Sequence, residues 1–128
     1  MSKEKRLTLD HVYKANYILR SVVRQTDVLY APKLKPGTGS FKVRGAYYKM
    51  SQLTQEERER GVIACSAGNH AQGVALAAQK NGIKAVICLP DGAPISKVEA
   101  TRSYGAEICL VEGVYDDAYQ KAQQLRDE

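Results

Sequence analysis

The 128-residue chain predicts an α/β fold, a parallel sheet with helices on both faces. Three observations carry that prediction. Short, unbroken apolar runs occur at Val62-Ile63-Ala64-Cys65, Ala85-Val86-Ile87-Cys88-Leu89 and Ile108-Cys109-Leu110-Val111. Each is followed by a segment with apolar residues at helical spacing. Turn residues stand at the joins, as in Ser66-Ala67-Gly68-Asn69, Asn81-Gly82 and Gly105. A strand that is apolar throughout is covered on both faces. Parallel neighbours then need a crossover, which is ordinarily helical and right-handed.

The elements follow in order. Val12, Ala15, Leu19 and Val22 share one helical face, so a first helix is expected from about Asp10 to Arg24, with Thr8 or Asp10 capping its start. Thr26 to Pro32 reads as an extended stretch, and Pro36-Gly37-Thr38-Gly39 as a turn. Ser40 suits the N-cap of a helix whose apolar face is Val43, Ala46, Tyr47 and Met50. A charged helical turn, Thr54 to Arg60, precedes the first strand. After that strand, Ala71, Val74, Ala75 and Ala78 share a face, and Asn81-Gly82 ends the helix. Pro90 to Pro94 is a loop beyond the second strand. Ser96 and Glu99 have the spacing of a capping box for a helix to Tyr104, which Gly105 stops. The last helix gathers Tyr115, Ala118, Tyr119 and Ala122.

Composition narrows the function classes. At 44% hydrophobic and 26% charged residues, the chain has the balance of a soluble globular domain. No apolar run approaches the roughly 20 residues needed to span a bilayer. The Met1-Ser2-Lys3-Glu4-Lys5-Arg6 start lacks the apolar centre of a secretory signal, so a cytoplasmic location is expected. The formal charge of +5 is dispersed among acidic residues, with no basic stripe interleaved with aromatics, which argues against nucleic acid as partner. It suits an anionic cofactor and an amino-acid substrate. Cys65, Cys88 and Cys109 are odd in number, lack C-x-x-C spacing and each fall in a strand-like run. Free buried thiols are expected, with no metal.

Two segments carry chemistry. Thr38-Gly39-Ser40-Phe41-Lys42-Val43-Arg44-Gly45-Ala46 places a lysine in a first helical turn. The positive end of the helix there favours the neutral, nucleophilic amine, although the same position suits an ordinary solvated lysine. Phe41 can pack on a ring or anchor a core. The glycines before it match neither a Walker A loop nor a dinucleotide fingerprint. Ser66-Ala67-Gly68-Asn69-His70-Ala71-Gln72-Gly73 follows a strand and opens a helix, so backbone N–H groups converge on one spot that suits an anion. Asn69 can donate a side-chain hydrogen bond to a ring oxygen. The alternative is an ordinary strand–helix turn capped by Asn or Ser. His70 is either a general base or a packed or capping residue. A lysine nucleophile facing an anion-binding turn suits covalent chemistry on a carbonyl cofactor with a carboxylate substrate.

Taken together, these segments resemble the fold-type II pyridoxal-phosphate enzymes, and within them the threonine dehydratases. Leu-Pro-Asp-Gly-Ala-Pro at 89–94, Lys-Val-Glu-Ala-Thr-Arg at 97–102 and Tyr-Gly-Ala-Glu at 104–107 extend the resemblance along nearly the whole chain. Serine racemases share much of the pattern. Cysteine synthases fit less well, because they typically carry Thr where His70 stands. The resemblance implies pyridoxal 5'-phosphate as cofactor. It implies Lys42 as the lysine bonded to the cofactor, Phe41 beside the pyridine ring and Asn69 on the phenolic oxygen. Ser66, Ala67, Gly68, Asn69 and His70 become the loop holding the substrate carboxylate. The implied reaction is dehydration and deamination of L-threonine or L-serine to a 2-oxo acid and ammonia, with a homo-oligomer compatible. Residues 1–47 would belong to the large cofactor domain, 48–118 to a small α/β domain and 119–128 to the return.

Two departures stand against that pattern. Relatives place a strand and a short polar segment between the equivalents of Lys33-Leu34 and Thr38, where this chain has only Lys35-Pro36-Gly37. On the order of ten residues, one strand's worth, are absent. The 128 residues also contain no match to the glycine-rich loop that holds the cofactor phosphate in relatives. An incomplete form of the enzyme is therefore expected. The alternatives are a non-catalytic remnant or anion-binding module of the same ancestry, or an unrelated nucleotide-binding module.

Overall fold

The computed structural model describes residues 7–23 and 40–128. The extended stretch expected at Thr26 to Pro32, the turn at Pro36 to Gly39 and the shortened junction after Lys33 lie outside the described residues. The elements run α1 Leu9–Leu19, α2 Lys42–Ser51, α3 Gln55–Arg60, β1 Val62–Cys65, α4 Asn69–Asn81, β2 Ala85–Pro90, α5 Ile95–Arg102, β3 Glu107–Val111 and α6 Tyr115–Asp127. The three strands form one parallel sheet in the order β1-β2-β3. Helices α4 and α5 are the crossovers that parallel pairing demands.

Strand periodicity divides the apolar residues between two faces. Ile87 and Leu89 point to one face, where they join Ala71, Val74, Ala75 and Ala78 of α4, Val98 of α5 and Met50 of α2. Cys88, between them, points to the other face and meets Ala118 and Ala122 of α6. The sheet is thus covered on both faces, as the unbroken apolar runs predict. In register, Cys65 lies beside Cys88 and Cys88 beside Cys109, so the three thiols form one row across the strands. All three are free, but only Cys88 is buried; Cys65 and Cys109 are half-buried at the sheet edges, a correction to the expected full burial.

Several helix ends differ from their sequence expectation. Helix α1 stops at Leu19 and passes into turns, short of the predicted end at Arg24. None of its residues is buried, and Val12 is exposed, while Ala15, Ile18, Leu19 and Val22 are half-buried. Thr8 does cap it, its N–H donating to His11 Nδ1 at 3.2 Å. Helix α2 runs from Lys42, Phe41 before it already has helical dihedrals, and Ser40 Oγ accepts the Lys42 N–H at 3.2 Å, the side-chain bond expected of Ser40 as the cap. Helix α5 begins directly after Pro94, the N-cap, whose carbonyl accepts the Lys97 N–H at 2.8 Å and the Val98 N–H at 3.2 Å. Ser96 therefore sits inside the helix, Glu99 pairs with Arg102, and the expected capping box does not form. A reciprocal box forms instead at α3, with Thr54 Oγ1 accepting from Glu57 N–H and Glu57 Oε2 accepting from Thr54 N–H. The expected domain boundaries at 47/48 and 118/119 fall within α2 and α6.

Candidate active site

The two motifs meet where α2 packs on α4. Gly73 lies in the first two turns of α4, directly under the start of α2. A Cβ built on Gly73 would stand 3.0 Å from the Val43 nitrogen and 3.1 Å from the Lys42 carbonyl carbon. Only a residue without a side chain lets the backbones approach so closely. Half-buried Val43, Ala46 and Tyr47, with buried Met50, complete the α2 face that seats on the core. Lys42 is the first residue of α2, exposed, and its Nζ lies 5.1 Å from the Phe41 ring centroid. Phe41 is 73% exposed and is not a core anchor. An exposed cation over a ring contributes about 0.5–1 kcal/mol, so a competing ring or reactive carbonyl can displace it.

One turn before Gly73 on the same helix is Asn69, the first residue of α4. The N-cap is Gly68, in extended geometry and with no side-chain capping bond, so neither Asn69 nor Ser66 caps α4. Ser66 Oγ instead accepts the Gly68 N–H at 3.3 Å, tightening the turn. A Cβ added at Gly68 would meet nothing within 4 Å, so open space fronts the helix. The first N–H groups of α4 therefore have neither an intrahelical partner nor a side-chain cap. Neither α2 nor α4 carries an acidic residue in its first turn. Neither positive helix end is therefore compensated by a carboxylate of its own first turn. Ser66, Ala67 and Gly68 are half-buried, while Asn69 and His70 are exposed, so His70 is not a packed residue.

The sequence reading missed two contributors. Gly73 was legible as a glycine inside a helical run, which signals a packing reason. Lys97, in the first turn of α5, donates from Nζ to Asn69 Oδ1 at 3.1 Å. Its side chain crosses from one helix start to another, and no local periodicity marks such a contact. Among the described residues, no group of three or more His, Cys, Asp or Glu side chains is arranged to hold a metal.

A family model described as pyridoxal-phosphate dependent enzyme matches residues 31–128. The L-threonine ammonia-lyase of Thermotoga maritima is 43% identical over 136 residues, covering 95% of this chain and 34% of the relative. That stretch exceeds the chain's 128 residues, so the relative carries additional residues within it. The catabolic L-threonine dehydratase of Escherichia coli is 50% identical over 88 residues, covering 69% of this chain and 27% of the relative. Maize serine racemase superposes with a TM-score of 0.83 at 32% identity, covering 92% of this chain and 40% of that one. The chain spans only 34% and 27% of the lengths of the two curated relatives. Its matched motifs, its parallel sheet and a family match across most of its length agree: the chain belongs to the pyridoxal-phosphate dependent enzymes.

Proposed function

We propose that this chain supplies the lysine and carboxylate-binding side of a site that dehydrates and deaminates L-threonine or L-serine. The observation that carries the reading is the seating of Lys42 on α4 through Gly73, one turn from the uncapped helix start. Pyridoxal phosphate is an aromatic ring bearing a carbonyl, a phenolic oxygen and a phosphate. The donor set fits the first two of these: an exposed primary amine, an exposed amide and free backbone N–H groups opening on empty space. When bound, the cofactor supplies an electron sink for negative charge developing at the substrate Cα.

The residues divide the remaining work. Lys42 would hold the cofactor through its carbonyl carbon, and its Nζ is the amine placed to take the substrate Cα proton. Phe41 would flank the ring, and Asn69 would donate to the phenolic oxygen. In the loop from Ser66 to His70, the Ser66 N–H donates to Cys88 O and the Gly68 N–H to Ser66 Oγ, so the Ala67, Asn69 and His70 N–H groups, with the positive end of α4, would hold the substrate carboxylate. Residues 48–118 act as the small α/β domain that carries this carboxylate loop, and residues 1–47 as part of the larger cofactor domain. The names of the relatives, threonine ammonia-lyase and threonine dehydratase, support threonine as substrate.

The test is turnover of L-threonine and L-serine by the chain with added pyridoxal phosphate, following 2-oxo acid and ammonia together. Product in equal amounts that disappears in Lys42→Ala supports the reading. Product that persists in Lys42→Ala refutes the assignment.

A further inference from the structure

Lys97 is a half-buried lysine in the first turn of α5, beside the first turn of α4. Positive charge is unfavourable at helix starts, and here it stands near two of them. Among the described residues no carboxylate pairs with it, and its side-chain ammonium donates to Asn69 Oδ1 at 3.1 Å. The backbone around it is firmly held. The Lys97 N–H donates to Pro94 O at 2.8 Å, and the buried Thr101 hydroxyl donates to Lys97 O at 2.8 Å.

An ammonium group has three donors and no acceptor, whereas a carboxamide has one acceptor end and one donor end. A lysine can therefore bind only one of the two flips of an asparagine. With Oδ1 taken by Lys97, the Nδ2 donors of Asn69 turn away from it, and they have no acceptor among the described residues. We propose that Lys97 is a positioning residue that locks the Asn69 amide with its donor end presented to the ligand's anionic oxygen. The inference rests on the proposed role of Asn69 and goes beyond it, since it explains how the amide is held in one orientation. Lys97 also adds a positive charge behind that amide, which polarises its N–H groups.

The experiment uses the ¹⁵N-labelled full chain. The Asn69 side-chain NH₂ pair is assigned by its loss in Asn69→Ala. Lys97→Met, and Lys97→Gln as a second variant, should move that pair to the position of a freely rotating amide, and Lys97→Arg should restore it. The folded backbone spectrum reports in the same sample that the fold is kept. This arm needs no cofactor, so it decides the lock even if pyridoxal phosphate does not bond to Lys42. In the cofactor arm, the pH midpoint of the visible band should rise in Lys97→Met by about half a unit or more, as a hydrogen bond to the anionic form is lost. The shift should be absent when Lys97→Met is made in Asn69→Ala. An unmoved Asn69 NH₂ pair in Lys97→Met would overturn the proposal. So would an equal midpoint shift with and without Asn69, which would make Lys97 a plain charge effect.

Discussion

Replacing Gly73 by alanine drives the two motifs apart by about half an ångström. The new Cβ would stand 3.0 Å from the Val43 nitrogen, 3.1 Å from the Lys42 carbonyl carbon and 3.2 Å from Lys42 Cβ. Ordinary contacts between carbon atoms lie at about 3.5–4.0 Å. All three obstacles belong to the first turn of α2, and two are backbone, so that turn must move. Overpacking of this kind costs about 1–3 kcal/mol. The better helix propensity of alanine returns about 0.8–1 kcal/mol. The net loss of stability is then at most about 2 kcal/mol, read as a lower urea midpoint. Function should suffer more than stability. A misplacement of about 1 Å costs on the order of 100-fold, so half of that costs roughly 10-fold in formation of the Lys42–pyridoxal bond. Gly45→Ala is the control, because it lies in the same helix with nothing within 4 Å of its added Cβ. It should stabilise by about 0.5–1 kcal/mol. If Gly73→Ala stabilises as Gly45→Ala does and leaves cofactor bonding unchanged, the seating argument is wrong.

Other perturbations follow from packing and charge. Ile87 is fully buried in the central strand, so Ile87→Ala should cost about 2–5 kcal/mol in a urea titration, and a loss below about 1 kcal/mol would contradict its place in the core. Burial pushes the Cys88 thiol up to about 12, with Cys109 beside it adding to the shift. At pH 8 its thiolate fraction is then about 10⁻⁴, so mass spectrometry after iodoacetamide treatment should find Cys88 unlabelled until the chain unfolds. Labelling in the native state at the rate of a free thiol would refute this. The hydrogen bond from the Thr54 backbone N–H holds the Glu57 carboxyl below its ordinary value of 4.5. A lowered folded-state value stabilises above the unfolded one and is lost as pH falls through the folded one. Glu57→Gln should therefore lower stability at neutral pH and flatten its fall below about pH 4.5, as followed by circular dichroism; an unchanged acid limb would refute the cap.

Sheet and helices were legible because period and punctuation agreed. The apolar runs around Ile63, Ile87 and Ile108 leave no polar face, and Gly82 and Gly105 take positive φ where the following loops begin. Helix starts were less legible because neighbouring residues compete for the same cap. At α2, Ser40 does accept the Lys42 N–H as a cap would, although the helix proper starts only at Lys42. At α5, Pro94 sets the start before Ser96 can act. The site was visible where chemistry is local, as in the turn from Ser66 to Asn69. It was hidden where two distant segments meet. The approach of Gly73 to Lys42 and the reach of Lys97 to Asn69 depend on helix packing, which leaves no periodic trace in either segment alone.

The central claim is that Lys42 is the lysine that bonds the cofactor. Its direct test is titration of the full chain with pyridoxal phosphate, followed by borohydride trapping and peptide mass mapping. A saturable visible band, trapped on Lys42 and absent in Lys42→Ala, is the predicted result. Labelling scattered over surface lysines, and unchanged in Lys42→Ala, would contradict it.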